Sequence, residues 1–263
     1  MTTTPPVTAA RLQGRRIVVT GGARGIGASI AARCAAEGAD VAILDLLEEP
    51  GRATAAAIGG SFHRVDLSDE ADTRTVLTEA IDTLGGIDVL VNNAGILRFA
   101  PLLEITADDW DAMFRINTRA MLVTTQVAAK RMIDQRRLAQ DSGAPALPGK
   151  VINMASMGGK TGGAGQAHYA ASKAAVIALT RVTALELGCE AITANCICPG
   201  YVLTEMGAAT RTEADVAEWS SYSPLGRLAQ PEDVAGVAAF LASADADYLT
   251  GQAVNVTGGM IMH

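Results

Sequence analysis

Short apolar runs rich in β-branched residues recur along the chain: RIVVT (16–20), DVAILD (40–45), SFHRVD (61–66), IDVLVN (87–92), KVINMAS (150–156), ITANCIC (192–198) and AVNV (253–256). Most are separated by longer stretches whose apolar residues have helical spacing. In the first stretch Ile26, Ile30 and Cys34 fall at i, i+4 and i+8, one face of a helix. TADDW, from Thr106, reads as an N-cap threonine with acids in the first turn, opening one long helix towards about Leu138. Strands alternating with helices predict a parallel sheet covered on both faces. AQDSGAPALPG (139–149) has loop composition. A second irregular region, 199–224, exceeds ordinary connections in length and reads as a lid over a substrate. No repeat and no second core breaks the alternation. The pattern predicts one domain over 15–263, after a loose Thr- and Pro-rich tail at 1–14.

In an open parallel sheet, ligands bind beyond the carboxyl ends of the strands. The first run leads into Thr20-Gly21-Gly22-Ala23-Arg24-Gly25-Ile26-Gly27. The next five end in Asp45, Asp66-Leu67, Asn92-Asn93-Ala94-Gly95, Ser156 and Pro199-Gly200. Glycine between a strand and a helix lets backbone N–H groups meet a phosphate at the positive end of the helix. The spacing G-x-x-x-G-x-G differs from the G-x-G-x-x-G dinucleotide fingerprint, and a tight turn without a ligand would use the same glycines. Asp45, 18 residues past Gly27, shifts the balance, because an acid at the end of the second strand binds adenosine ribose hydroxyls. Its charge also repels a 2′-phosphate, by on the order of 4 kcal/mol for a unit pair at 4 Å near a surface. Leu46, Leu47, Glu48 and Glu49 follow, with no base to receive such a phosphate. The expected cofactor is therefore NAD rather than NADP. Arg24 is the one contrary residue: it could help hold a phosphate, or pair with an acid at the helix start.

Composition removes several classes. The chain has 263 residues, 49% hydrophobic and 19% charged, with a net charge of −7. An acidic balance opposes a nucleic-acid footprint and binding to an anionic membrane. The longest apolar run, VAGVAAFLASA from Val234, is short of the ~18 residues that span a bilayer. The N-terminus has no apolar signal segment, so the expected location is the cytoplasm. Cys34, Cys189, Cys196 and Cys198 form no C-x-x-C pair and read as buried free thiols of a reducing compartment. His63, His168 and His263 show no metal-ligand spacing, so no metal is expected.

YAASK (169–173) completes a set of motifs with T-G-x-x-x-G-x-G at Thr20, D-L at Asp66, N-N-A-G at Asn92, Asn117 in RINT, Ser156, P-G at Pro199 and the late YLTGQAVNVTGG. Together they closely resemble the short-chain dehydrogenase/reductase family in its single-domain, NAD-dependent branch, from about Gly14 to Gly259. The resemblance implies a doubly wound Rossmann fold: a seven-stranded parallel sheet with helices on both faces, in a single domain. It implies catalytic roles for Asn117, Ser156, Tyr169 and Lys173. It places cofactor on Gly21, Arg24, Gly25, Ile26, Gly27, Asp45, Asp66, Leu67, Asn93, Ala94, Gly95, Tyr169, Lys173, Pro199, Gly200, Val202 and Thr204. Tyr201, Met206 and Trp219 would belong to the lid, and similar enzymes are homotetramers built through helices such as 106–138 and 167–188.

The chemistry of the set can be argued on its own. Tyr169 and Lys173 are i and i+4 on a helix and share a face. A free tyrosine titrates near 10, too high for a base at neutral pH. A nearby ammonium, and the positive charge of an oxidised nicotinamide, both favour the phenolate. Moving the pKa by about 3 units needs roughly 4 kcal/mol of differential interaction. Ser156 would hydrogen-bond the reacting oxygen, and Asn117 would hold a water that continues a proton relay from Lys173. His168 lies about 100° round the helix from Tyr169 and reads as pocket edge or surface, not as the base. The sequence predicts an NAD-dependent enzyme interconverting a secondary alcohol and a ketone, its substrate a polyol or sugar, a cyclic alcohol or a hydroxysteroid. Two rivals remain. A 3-oxoacyl reductase acting on a carrier-protein or CoA thioester would prefer NADPH and a basic docking patch such as Lys130, Arg131, Arg136 and Arg137. A non-catalytic dinucleotide sensor would have no need of the tyrosine base.

Overall fold

The structure is a computed structural model that describes residues 10–205 and 211–263. Seven parallel strands form one sheet: β1 (Arg16–Thr20), β2 (Asp40–Asp45), β3 (Ser61–Arg64), β4 (Val89–Asn92), β5 (Gly149–Met154), β6 (Ile192–Pro199) and β7 (Ala253–Val256). Their order is β3-β2-β1-β4-β5-β6-β7, so the winding reverses between β1 and β4. The side chains of β1 show why both faces are covered. Ile17 and Val19 enter one core with Ile30 and Cys34 of α1 (Gly25–Ala36). Val18 enters the opposite core with Leu77 and Ile81 of α3 (Glu70–Thr83). Strands buried on both faces read as unbroken apolar runs, which is the pattern of the sequence. Helix α2 (Glu48–Ile58) follows β2.

The stretch expected to be one helix from Thr106 is divided. Thr106 caps it as predicted, accepting from Asp109 N–H at 3.1 Å. Helix α4 (Ala107–Phe114) then passes into a π-turn at Arg115–Arg119 before α5 (Ala120–Ser142). Helix α7 (Ala167–Leu187) packs on α4 and α5, after a one-turn helix α6 (Gly158–Thr161). The predicted lid holds a further helix, α8 (Glu213–Ser221), which the reading as irregular chain missed. Thr212 and Asp215 cap its start reciprocally, a signal present in TEAD. Pro199 at the head of that region still belongs to β6. Helix α9 (Pro231–Ala242) closes the α1 side of the sheet.

The predicted N-terminal tail needs shortening at its inner end; residues 1–9 lie outside the described residues. Leu12 is fully buried, and its N–H donates to Glu37 O at 3.1 Å. Arg11 grips the Glu37 carboxylate through two bonds of 2.8 Å. Three thiols, Cys34, Cys196 and Cys198, are buried and unpaired as expected, but Cys189 is exposed at the end of α7. Cys196 and Cys198 do share a face of β6, in a small core with Val176 and Ile177 of α7.

Candidate active site

The carboxyl ends of β1, β4, β5 and β6 bring the expected residues to one edge. The β1–α1 turn is fixed by its neighbours. Gly21 has φ +64, and a Cβ there would lie 2.7 Å from Ala94 Cα. At Gly27 a Cβ would lie 2.0 Å from Gly21 O. Only glycine permits this approach. Asn93, expected at the adenosine, ties the turn down. Its side-chain amide donates to Thr20 O at 3.1 Å and Gly21 O at 2.9 Å. The Thr20 hydroxyl in turn accepts from the N–H of Asn93 and of Ala94. Gly25, φ +59, is different: a Cβ built on it meets nothing nearer than 3.6 Å. Helix α1 starts there with no side-chain cap and no acid in its first turn. The N–H groups of Gly25, Ile26 and Gly27, at the helix's positive end, donate to no partner among the described residues.

Asp45 is half-buried beside this turn, and both its oxygens accept backbone N–H groups, from Ala23 and from Leu47, each at 3.0 Å. Asp66 is exposed and accepts from Ser68 N–H at 2.9 Å; hydrogen bonds from Ser68 hold its carboxyl below the usual range. Arg24 is exposed, and no acid among the described residues pairs with it. A glycine turn at a helix start with an acid at the second strand's end fits a nicotinamide dinucleotide.

Across the switch point, Asn117, Ser156, Tyr169 and Lys173 converge. A Cβ on Gly95 would stand 3.0 Å from Asn117 Oδ1 and 3.3 Å from Lys173 Nζ. A Cβ on Gly158 would stand 3.5 Å from Ser156 Oγ and 3.7 Å from Tyr169 Cε1. Lys173 Nζ lies 5.9 Å from the centre of the Tyr169 ring. Lys173 is 3% exposed, and its ammonium donates to Met154 O at 2.7 Å. Burial pushes Lys173 down to about 8. Burial raises the Tyr169 phenol above its ordinary value, and its hydrogen bond with Ser156 works the other way. The lowering expected from Lys173 is not among the causes at work on this phenol.

The π-turn explains Asn117. The extra residue turns its side chain inward, a use π-turns have at functional sites. There Oδ1 accepts from Ile96 N–H at 2.8 Å, while Nδ2 donates to Ile96 O at 2.9 Å and to Ser172 Oγ at 3.1 Å. Its side chain fixes the chain beyond β4, under Lys173. His168 is buried, not at a pocket edge or the surface, and its Nδ1 has no partner among the described residues. No group of three or more His, Cys, Asp or Glu side chains there is arranged to hold a metal ion. No helix among the described residues is long and apolar enough to cross a membrane.

In the segment predicted as a lid, Tyr201 and Trp219 stack with centroids 4.6 Å apart and planes at 12°. Met206 lies outside the described residues. Arg211, which no motif singles out, donates to Val202 O at 3.1 Å and Thr204 O at 2.9 Å. It holds the segment that carries Thr204.

The sequence profile described as enoyl-(acyl carrier protein) reductase matches residues 21–261. The 3-oxoacyl-[acyl-carrier-protein] reductase of Chlamydia pneumoniae is 39% identical over 254 residues, 95% of this chain and 98% of its own. The sorbitol dehydrogenase of Cereibacter sphaeroides is 39% identical over 263 aligned positions, covering 95% and 98%. The galactitol 2-dehydrogenase of Agrobacterium fabrum is 38% identical, again over 95% and 98%. Similarity thus runs almost end to end, to proteins named as a 3-oxoacyl-[acyl-carrier-protein] reductase and as sorbitol and galactitol dehydrogenases alike.

Proposed function

The chain belongs to the short-chain dehydrogenase/reductase family, oxidoreductases that act on CH–OH donors and bind a nicotinamide dinucleotide, and from that premise we propose that it is an NAD-dependent dehydrogenase of a secondary alcohol. The observation that carries the reading is the convergence of Ser156, Tyr169 and Lys173 on the sheet edge that also carries Asp45 and the open Gly25 turn. Gly21, Arg24, Gly25, Ile26 and Gly27 would hold the pyrophosphate, and Asp45 the adenosine ribose. Asp66, Leu67, Asn93, Ala94 and Gly95 would flank the adenosine. Pro199, Gly200, Val202 and Thr204 would receive the nicotinamide, with Tyr169 and Lys173 at its ribose. When bound, the dinucleotide supplies the hydride acceptor or donor. The phenolate oxygen of Tyr169 would take the hydroxyl proton in oxidation, and the resulting phenol would return it in reduction. Ser156 Oγ hydrogen-bonds the reacting oxygen, a neutral partner that suits both alcohol and alkoxide-like states. The ammonium of Lys173 favours the phenolate, and Asn117 positions the chain beneath it.

The substrate we infer is a polyol or sugar, a cyclic alcohol or a hydroxysteroid, admitted under the Tyr201–Trp219 stack. The thioester reading is favoured by the relatives so named, but its basic docking patch is partly neutralised. Arg131 pairs with Asp82, and Arg137 with Glu190 at 3.5 Å. We infer a homotetramer, one domain per chain with 199–224 as its lid, and a cytoplasmic location suited to three buried free thiols.

The test is purified protein with NAD⁺ at mildly alkaline pH against polyols, cyclic alcohols, hydroxysteroids and hydroxyacyl thioesters, following reduced nicotinamide. One class turns over with NAD⁺, and Tyr169→Phe loses at least about a hundredfold in rate, the scale of one general base, while still binding NADH. Turnover with NADP⁺ alone would overturn the reading of Asp45. NADH binding without turnover of any class, unchanged in the variant, would favour the sensor.

A further inference from the structure

Glu205 brings a carboxylate to the place where the dinucleotide's own charges must sit. A Cβ on Gly25 would lie 3.6 Å from Glu205 Oε2 and 3.6 Å from Thr204 Cγ2. Gly25 opens α1, whose first turn has no acid and no side-chain cap. Glu205, exposed in the chain after β6, therefore brings a carboxylate close to this helix start, and no N–H of α1 donates to it among the described residues. A carboxylate at the positive end of a helix is held there favourably.

No ion pair among the described residues neutralises that carboxylate. Asp45 is committed to the N–H groups of Ala23 and Leu47. The guanidinium of Arg211 is committed to the carbonyls of Val202 and Thr204. Arg24, on the turn itself, is exposed.

We propose that Glu205 is a counterweight to the pyrophosphate: its charge beside the start of α1 holds the affinity for the dinucleotide below what the glycine turn alone would give. This rests on reading that turn as the pyrophosphate site. Two phosphate charges brought to the same N–H groups repel a carboxylate at contact distance, so binding must displace Glu205 or accept the repulsion. The benefit is exchange: release of a bound product commonly limits turnover, and a weaker hold speeds it.

The experiment compares wild type, Glu205→Gln and Glu205→Asp by NADH fluorescence and by calorimetry with ADP-ribose and adenosine. Glu205→Gln binds NADH and ADP-ribose about tenfold more tightly, while adenosine, which has no phosphate, binds as in wild type. Glu205→Asp stays close to wild type. The gain shrinks as salt rises from about 0.01 M to about 1 M, because screening shortens the reach of the carboxylate. Equal or weaker NADH binding in Glu205→Gln overturns the counterweight and leaves the dehydrogenase reading standing. So does adenosine binding that tightens as much as ADP-ribose binding. If no variant binds NADH or ADP-ribose, the glycine-turn reading falls, and this proposal falls with it.

Discussion

Lys173 is expensive to bury, and the expense is measurable. Its ammonium has one fixed acceptor, Met154 O, and burial pushes its pKa from 10.5 to about 8. The sign follows from proton counting. Below the folded value both states hold the proton, and the folded state bears the whole cost of a buried cation. Between the two values the unfolded chain holds more protons, so stability rises with pH. Above 10.5 the cost has gone. A shift of this size corresponds to about 3 kcal/mol. Lys173→Met removes the titration. The unfolding free energy of wild type relative to Lys173→Met should therefore climb by about 3 kcal/mol between roughly pH 7 and pH 10.5, read from urea curves at each pH. A flat difference would mean that Lys173 is solvated well enough to keep its ordinary pKa. The Tyr169 ring lies 5.9 Å from that ammonium, and the proposed mechanism uses its charge to favour the phenolate.

The elements show what local pattern can and cannot reveal. The strands, the Thr106 cap and the sharing of a face by Tyr169 and Lys173 were legible because each depends on residues within a few positions of one another. The π-turn at Arg115–Arg119 was not. Apolar spacing continues through it, and its cause is a pair of hydrogen bonds between Asn117 and Ile96, 21 residues apart in the chain. Arg211 escaped for the same reason: nothing near it in sequence announces two carbonyls at positions 202 and 204. The burial of His168 also depends on packing rather than on spacing within α7. The site itself was more legible than its scaffold. Asn117, Ser156, Tyr169 and Lys173 belong to motifs whose chemistry constrains residue type, and the fold brings all four together. Asn117→Ala leaves Ile96 N–H and C=O without partners in a partly buried loop. It should lower the unfolding free energy by about 2 kcal/mol, the usual scale for stranded polar groups, as a shift of the urea midpoint at unchanged slope. A shift no larger than that of a surface substitution would mean that water takes over both bonds.

Across the whole molecule, apolar surface remains on the three helices that pack together outside the site. Leu185 is 83% exposed on α7 and Val182, one turn earlier, 48%; Trp110 of α4 and Leu122 of α5 are also open. Single exposed apolar residues are ordinary, but large ones gathered on neighbouring helices mark surfaces that bind. Two copies of a chain that meet through one such face do so by a twofold, self-complementary contact. A stable interface of this kind covers about 1,200–2,000 Å² in total, an area that two long helices from each copy can supply. The proposed homotetramer therefore predicts a particle of about four times 27.1 kDa in sedimentation or light scattering at micromolar concentration. Leu185→Glu puts a charge into each copy of the contact, opposite its symmetry mate or near it, and should break the assembly into smaller particles. The variant should still bind NADH, because α7 presents Lys173 and Tyr169 from its other end. A wild-type monomer, or a Leu185→Glu protein of unchanged mass, would remove α7 from the interface. Those exposed side chains would then be ordinary surface.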